Sequence, residues 1–173
     1  MPPPPELEGE GGAAGRKIRI RPIRPEDEPG LHAFVAQLSP EDVRMRFLQP
    51  LKRLPGPLAQ RLSHIDPERE VALVAFDEPG EEMLGVGRLF AQSEGGRAEF
   101  ALIVRTDSQG LGLGSLLMTR ILDERWKRGL PEILGDVLAE NTRMLDLCRS
   151  LGAEVRQHPD DSTLLRVIFR RPG

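Results

Sequence analysis

The chain has 173 residues, of which 39% are hydrophobic, and this is enough for one domain with a full core. No apolar run approaches the roughly 20 residues that a membrane-spanning helix needs. The formal net charge of -3, with both signs mixed along the chain, argues against a nucleic-acid-binding protein, which usually carries a basic excess. The one cysteine, Cys148, excludes an internal disulfide, and we expect a cytoplasmic protein.

The predicted elements begin after a tail. Residues 1–16 are rich in proline and glycine, which predicts disorder, and residues 17–171 are expected to form one domain. A strand is predicted at Lys17–Ile23, and helices are predicted after Pro25, after the N-cap Ser39, and in Gly56–Ile65. Three strands in a meander are predicted next, at Glu70–Phe76, Met83–Gln92 and Arg97–Val104. A helix at Gly112–Arg128 and a strand at Pro131–Ala139 follow. The last elements are a helix that begins at Asn141 and is ended by Gly152, and two strands around Val155 and Val167.

Three glycines lie between the third strand of the meander and the next helix. They are Gly110, Gly112 and Gly114 in the stretch "ALIVRTDSQGLGLGSLL", Ala101–Leu117. Glycine is costly in chain entropy there, so we expect something to approach the backbone closely. One explanation is a ligand pyrophosphate at the helix N-terminus, where the helix dipole and free N–H groups attract anions. The alternative is a turn that permits close packing of the helix on the strand.

Two other nucleotide motifs compete with this explanation. A P-loop needs a lysine at the start of the helix, and none is present. A dinucleotide fingerprint has the spacing G-x-G-x-x-G, whereas this sequence has G-x-G-x-G, although Asp136 lies at about the right distance for a ribose-binding acid. That fingerprint also follows the first strand of a parallel sheet rather than an antiparallel meander.

The stretch "VRTDSQGLGLG" resembles the acyl-CoA-binding signature of the GNAT (GCN5-related N-acetyltransferase) superfamily. Gln109, Gly112 and Gly114 fill its positions, and "ENTRMLDLCRSLGAEV" resembles the second half-site of the family. The stretches "LSPEDVRMRFL", "IDPEREVALVAF" and "RAEFALIV" look more specifically like bacterial protein lysine acetyltransferases that modify acyl-CoA synthetases. The resemblance implies an α+β three-layer sandwich, with a mixed, mostly antiparallel sheet of about seven strands flanked by helices.

The resemblance also implies where acetyl-CoA binds. The acetyl and pantetheine parts are expected along the edge of the third meander strand, the pyrophosphate at the glycine loop, and Asn141 on the other side of the pantetheine arm. No metal is expected. The expected acetyl-CoA-binding residues are Leu102, Ile103, Val104, Gln109, Gly110, Leu111, Gly112, Leu113, Gly114, Ser115 and Asn141.

Acetyl transfer to an amine needs a base, because a lysine of pKa about 10.4 is almost wholly protonated at neutral pH. Glu99 is the candidate: it shares a strand face with Ala101 and Ile103, and we expect apolar surroundings that would raise the pKa of its carboxyl. The resemblance gives this glutamate the same role. Glu140 and His64 are rival bases, and an exposed glutamate without catalytic function remains an alternative.

The chain departs from the family at the leaving group. Many relatives place a tyrosine there to protonate the thiolate, whereas this sequence has Cys148 and no tyrosine. A buried packing role is expected for this cysteine, which leaves solvent as a proton donor. The resemblance implies acetylation of a protein lysine, on a partner such as an acyl-CoA synthetase. A small amine or a protein N-terminus as acceptor, and a non-catalytic acyl-CoA-binding module, are the alternatives.

Overall fold

The computed structural model describes residues 9–13, 16–49, 51–77, 82–91, 97–109, 112–127, 129 and 132–170. An eight-stranded sheet forms the middle layer, in the order β1-β2-β3-β4-β5-β6-β8-β7. Its strands are β1 (Gly9–Ala13), β2 (Arg16–Pro22), β3 (Glu70–Asp77), β4 (Met83–Ala91), β5 (Arg97–Val104), β6 (Glu132–Leu138), β7 (Glu154–Gln157) and β8 (Leu164–Arg170). The helices are α1 (Glu28–Ala36), α2 (Pro40–Phe47), α3 (Gly56–Ser63), α4 (Leu113–Lys127) and α5 (Thr142–Ser150).

Helices cover both faces of the sheet, so the predicted three-layer α+β architecture is confirmed. One core packs α4 and α5 on the sheet through residues such as Leu117, Ile121 and Cys148. The other core packs α1, α2 and α3 on the opposite face through residues such as Phe34 and Leu62. The central strands β3 and β4 are therefore buried on both sides, and their sequences are almost continuously apolar. Among the described residues, no helix has the length and hydropathy needed to cross a bilayer.

The N-terminal segment differs from its prediction. Gly9–Ala13 forms β1 and pairs antiparallel with β2, whereas a disordered tail was expected over residues 1–16. Residues 1–8, 14 and 15 lie outside the described residues. The sequence signal is weak because glycine has low strand propensity, and β1 depends on the ready-made edge of β2 for its hydrogen bonds. This strand is the addition to the expected seven.

The parallel pair β5–β6 determines where a cavity can form. Its register runs Arg97↔Glu132, Ala98↔Ile133 and Glu99↔Leu134, and the pairing of these two fully described strands stops there. On their other edges, β5 remains paired with β4 up to Val104, and β6 with β8 along its whole length. The two strands therefore separate after Glu99, and the remaining half of β5 leaves one backbone edge facing the gap.

Candidate active site

A cavity of about 830 Å³ occupies the gap between β5 and β6. Residues of β5 from Glu99 to Val104 line it on one side, and the end of β6 with the start of α5 lines it on the other. The N-terminal turn of α4 and the last turn of α2 complete its walls. The volume falls within the range of about 300–1,000 Å³ typical of small-molecule and cofactor sites.

Two of the three glycines in the loop before α4 can be described, and they serve different purposes. Gly112 has φ +83°, a left-handed conformation that disfavours any residue with a Cβ, and open space surrounds the position of that Cβ. At Gly114, a Cβ would lie 3.3 Å from Leu147 Cδ2 and 3.6 Å from Leu102 Cδ2. Gly114 thus allows α4 to pack closely on its neighbours, so the packing explanation fits this position and a backbone approach fits Gly112. The predicted residues Gly110 and Leu111 lie outside the described residues.

The first turn of α4 presents backbone donors to the cavity wall. The N–H of Leu116 bonds to the carbonyl of Gly112 at 3.1 Å, which begins the helical ladder. N–H groups in the first turn of a helix have no intrahelical acceptor and carry the positive end of the helix dipole. Gly112, Gly114 and Ser115 line the cavity. The Leu113 side chain is buried in the core, so only its backbone is available to a ligand.

Gln109, an expected acetyl-CoA-binding residue, lines the cavity, and its side chain is bonded within the protein. Its amide Nε2 donates to Asp42 Oδ2 at 2.9 Å and to the Val104 carbonyl at 3.2 Å. The hydroxyl of Thr106 also donates a hydrogen bond to Asp42 Oδ2, at 2.6 Å, and accepts one from the backbone N–H of Ser39, at 3.0 Å. The Gln109 side chain therefore ties the loop before α4 to the start of α2 and to the end of β5. This contact crosses 67 residues of sequence, which local patterns do not reveal.

Asn141 is the N-cap of α5, as the sequence predicted. Its Oδ1 accepts the N–H of Met144 at 3.2 Å, an interaction worth about 1 kcal/mol. Asn141 lines the cavity opposite β5. Arg143, in the first turn of α5, also lines the cavity with an exposed side chain, and sequence reasoning missed it. In the sequence, its position two residues after the predicted helix start Asn141 could have indicated that Arg143 lies at the same helix end.

Glu99 lines the cavity at the point where β5 and β6 separate. Its side chain is exposed, so the expectation of apolar surroundings is wrong. The charge of Glu99 acts on Arg46 of α2: burial lowers the pKa of Arg46 to about 10, and the Glu99 carboxylate opposes that lowering. The cavity surface between β5 and α2 thus contains a carboxylate facing a cation, a polar environment that the strand pattern did not indicate.

The rival groups have other environments. His64 ends α3, where its Nδ1 lies 2.8 Å from the Gln60 carbonyl, and it is not among the cavity-lining residues. Glu140 lines the cavity but forms an ion pair with Arg44. Cys148 is fully buried in the core, and burial raises the pKa of its thiol to about 12, which fits the expected packing role. Asp136 lies on β6 within 3.6 Å of His158 and 3.4 Å of Arg166.

The comparisons with known proteins agree with this geometry. The family described as acetyltransferase (GNAT) domain matches residues 17–154. The chain is 37% identical to acetyltransferase PA5475 of Pseudomonas aeruginosa over 158 residues, which is 90% of this chain and 84% of the relative. It superposes on the GNAT domain of S. lividans PAT with a TM-score of 0.90 and 26% identity, covering 97% of this chain and 99% of that one.

The same fold occurs in RimL, a ribosomal L7/L12 α-N-protein acetyltransferase solved in complex with coenzyme A. Here the TM-score is 0.72 at 12% identity, with 94% of this chain and 98% of that chain covered, so the likeness shows the fold alone. The family match and the 37% identical relative extend over most of the folded chain. The chain therefore belongs to the GNAT family of acetyltransferases, for which acetyl-CoA is the acyl donor.

Proposed function

We propose that the protein transfers the acetyl group of acetyl-CoA to the ε-amine of a protein lysine, with Glu99 as general base. The observation that carries the proposal is the separation of β5 and β6 immediately after Glu99, which opens a cavity with a carboxylate at one end and a helix N-terminus at the other. A thioester lying along β5 would place its carbonyl near the base and its phosphates near α4. That is the order of groups along acetyl-CoA.

In this arrangement, the backbone of β5 binds the pantetheine arm. Leu102, Ile103 and Val104 line the gap, and their strand has a backbone edge beyond Glu99 to which the amides of the arm can bond as an added strand. The N–H groups of the α4 first turn, from Gly112 to Ser115, receive the pyrophosphate. Arg143 supplies a cation beside the same groups, and Asn141 contacts the arm from α5.

The reaction then needs three proton transfers and one displacement. Glu99, directly or through water, removes a proton from the ammonium, and the neutral nitrogen attacks the thioester carbon. A C–N bond forms, the C–S bond breaks as the tetrahedral intermediate collapses, and the second amine proton leaves to solvent. A backbone N–H of β5 polarises the carbonyl. The thiolate takes a proton from solvent, since the buried thiol of Cys148 has a raised pKa and does not line the cavity.

A protein acceptor is supported by the surface beside the cavity. The cavity wall includes Met45 and Phe47 from the last turn of α2 and Leu48, the residue after the helix. Leu48 is 45% exposed and has φ +61°, an uncommon conformation for leucine. Leu48 ends α2 as its C-cap, and together with Met45 and Phe47 it gives this wall apolar side chains that an acceptor polypeptide can contact. The sequence resemblance to protein lysine acetyltransferases agrees with this choice.

The test uses labelled acetyl-CoA, a panel of purified acyl-CoA synthetases, and mass mapping of modified residues. Modified lysines support the proposal, and modification confined to N-termini would favour the α-amine as acceptor, the substrate class that RimL names. Glu99→Gln is expected to lower kcat by about 10²–10⁴-fold with unchanged acetyl-CoA affinity. The remaining rate should rise with pH, because a larger share of the lysine is then neutral.

Glu140→Gln is the matched control, because Glu140 is a second carboxylate that lines the same cavity. It should keep turnover within a few fold. If Glu140→Gln loses the rate and Glu99→Gln keeps it, the assignment of the base is wrong. If neither variant changes turnover and its pH profile, neither Glu99 nor Glu140 is the base, and the proposed mechanism is wrong.

A further inference from the structure

Arg46 is a cation on the cavity wall that the proposed reaction does not use. It belongs to the last turn of α2, its side chain is partly buried, and it lines the cavity. Its guanidinium lies 4.8 Å from the centre of the Phe47 ring. Within the described part of the chain, however, the guanidinium forms no hydrogen bond and no ion pair. A guanidinium has five N–H donors, and leaving them without acceptors in a partly buried position is unfavourable.

The neighbouring arginines have the partners that Arg46 lacks. Arg44, two residues earlier on α2, donates to the Glu140 carboxylate. Arg88 of β4 is only 3% exposed, and its Nη1 donates to the Leu62 carbonyl at 2.8 Å. Of these three arginines, only Arg46 both lines the cavity and leaves its donors available.

The charges that act on Arg46 and Arg88 show how the Arg46 cation is placed. Burial, and after it the positive charge of Arg46, lower the pKa of Arg88 to about 9, so the two cations repel each other. Glu99 acts on Arg46, while Glu70 and Arg61 act on Arg88 with opposite signs. Both pKa values leave Arg46 and Arg88 charged at neutral pH, so the Arg46 guanidinium on the cavity wall can bind an anion.

We propose that Arg46 binds a carboxylate carried by the acceptor, close to the amine that receives the acetyl group. The inference rests on the proposed role of this cavity, with the amine at Glu99 and the carboxylate at Arg46. A carboxylate and a guanidinium form two parallel charge-assisted hydrogen bonds, which fix orientation as well as add affinity. For a polypeptide acceptor, the preferred lysine is then one with an aspartate or glutamate beside it.

The kinetic test compares two acceptor peptides that differ only in glutamate or glutamine next to the lysine. Wild type should show a higher kcat/KM for the glutamate peptide, by on the order of tenfold to a hundredfold, which is the range for hydrogen bonds to a charged group. Arg46→Met should remove this preference, and Arg46→Lys should keep part of it, because lysine retains the charge but not the fork. Arg53→Met, at an exposed position of the following loop, is the matched control and should keep the preference.

A binding measurement separates this inference from the proposed function. Hexanoate is titrated calorimetrically into the protein saturated with CoA, with hexanamide as the uncharged counterpart. Wild type and Arg53→Met should bind hexanoate at least tenfold more tightly than Arg46→Met, with melting temperatures confirming that all three are folded. Equal hexanoate affinity in wild type and Arg46→Met overturns the inference even if lysines are acetylated. Conversely, an Arg46-dependent affinity supports it even if no synthetase is modified.

Discussion

Gly135 faces the ring of Phe100 where β5 and β6 separate, and replacing it with alanine should destabilise the protein. A Cβ at Gly135 would lie 2.3 Å from Phe100 Cε1 and 2.6 Å from Cζ. The ring packs edge-on against Phe169, with centroids 5.7 Å apart and an interplanar angle of 72°. Phe100 is also 6% exposed within the core under α4. Phe169 and the core therefore restrict how far the ring can move away from Gly135.

The size of the effect follows from these distances. Carbon atoms in contact lie about 3.5–4.0 Å apart, so the ring must move by more than about 1 Å. Overpacking of a well-packed core costs typically about 1–3 kcal/mol, and alanine in a strand returns roughly 0.5–1 kcal/mol relative to glycine. We expect a net loss of about 1–2 kcal/mol in the free energy of unfolding. For a domain of this size, the melting temperature should fall by about 2–8 °C.

Thermal and urea denaturation measure this loss, with Gly87→Ala as the control. A Cβ at Gly87 would lie 3.5 Å from Ile121 Cγ2 and from Leu117 Cβ, an ordinary contact, so this variant should be neutral or slightly stabilised. Adding Phe100→Leu to Gly135→Ala should cost less than the two single losses together, because the shorter side chain vacates the ring position. Equal melting temperatures for Gly135→Ala and Gly87→Ala would refute the reasoning.

Two other predictions concern a thiol and an ion pair. Cys148→Ala should keep kcat within a few fold while losing some stability, because the thiol is buried away from the cavity; a hundredfold loss of kcat in a folded variant would make it a general acid. Burial alone would raise the pKa of Asp27, but the Arg21 guanidinium, bonded to it at 2.8 Å through both oxygens, and the Arg24 N–H hold that pKa below its usual value. The Asp27 carboxylate thus contributes fully to the free energy of unfolding when the pH is above the unfolded-state pKa. This contribution is lost as the pH falls through the lower folded-state pKa. Urea denaturation should therefore show that Asp27→Asn is destabilised by roughly 1–3 kcal/mol at pH 7. Its free energy of unfolding should decline less than that of wild type towards pH 3, and parallel pH curves for the two proteins would contradict this.

Much of the fold could be predicted because its signals are local. Ser39 accepts the N–H of Asp42 at 3.0 Å as the N-cap of α2, and Gly152 has the positive φ of a helix-ending glycine. The alternation and apolar runs placed the strands of the meander, and the family resemblance added their arrangement with helices on both faces. The glycine motif and the Asn141 cap indicated which helix ends would meet at the cavity.

The errors concern contacts between distant parts of the chain. The exposure of Glu99 depends on how α2 lies over β5, and strand periodicity contains no information about that neighbour. The partner of Gln109 is Asp42, 67 residues away, so its orientation could not follow from the motif. Gly9–Ala13 becomes a strand only because β2 offers an unpaired edge. In each case, tertiary context overrode a local expectation.

The two halves of the cavity are built differently, and this explains why they were not equally predictable. In the proposed complex, the donor half consists of backbone groups, namely the edge of β5 and the first turn of α4, and such groups require small residues and a particular chain path. That requirement appears in the sequence as Gly112 and Gly114 after an apolar strand. The acceptor half depends on side chains of α2, above all Arg46, and a surface arginine in a sequence looks the same whether it faces solvent or a ligand. The specificity of the enzyme should therefore change through substitutions in the last turn of α2 while acetyl-CoA binding remains, because the contact of α2 with the loop before α4 is made by Asp42 at the other end of the helix.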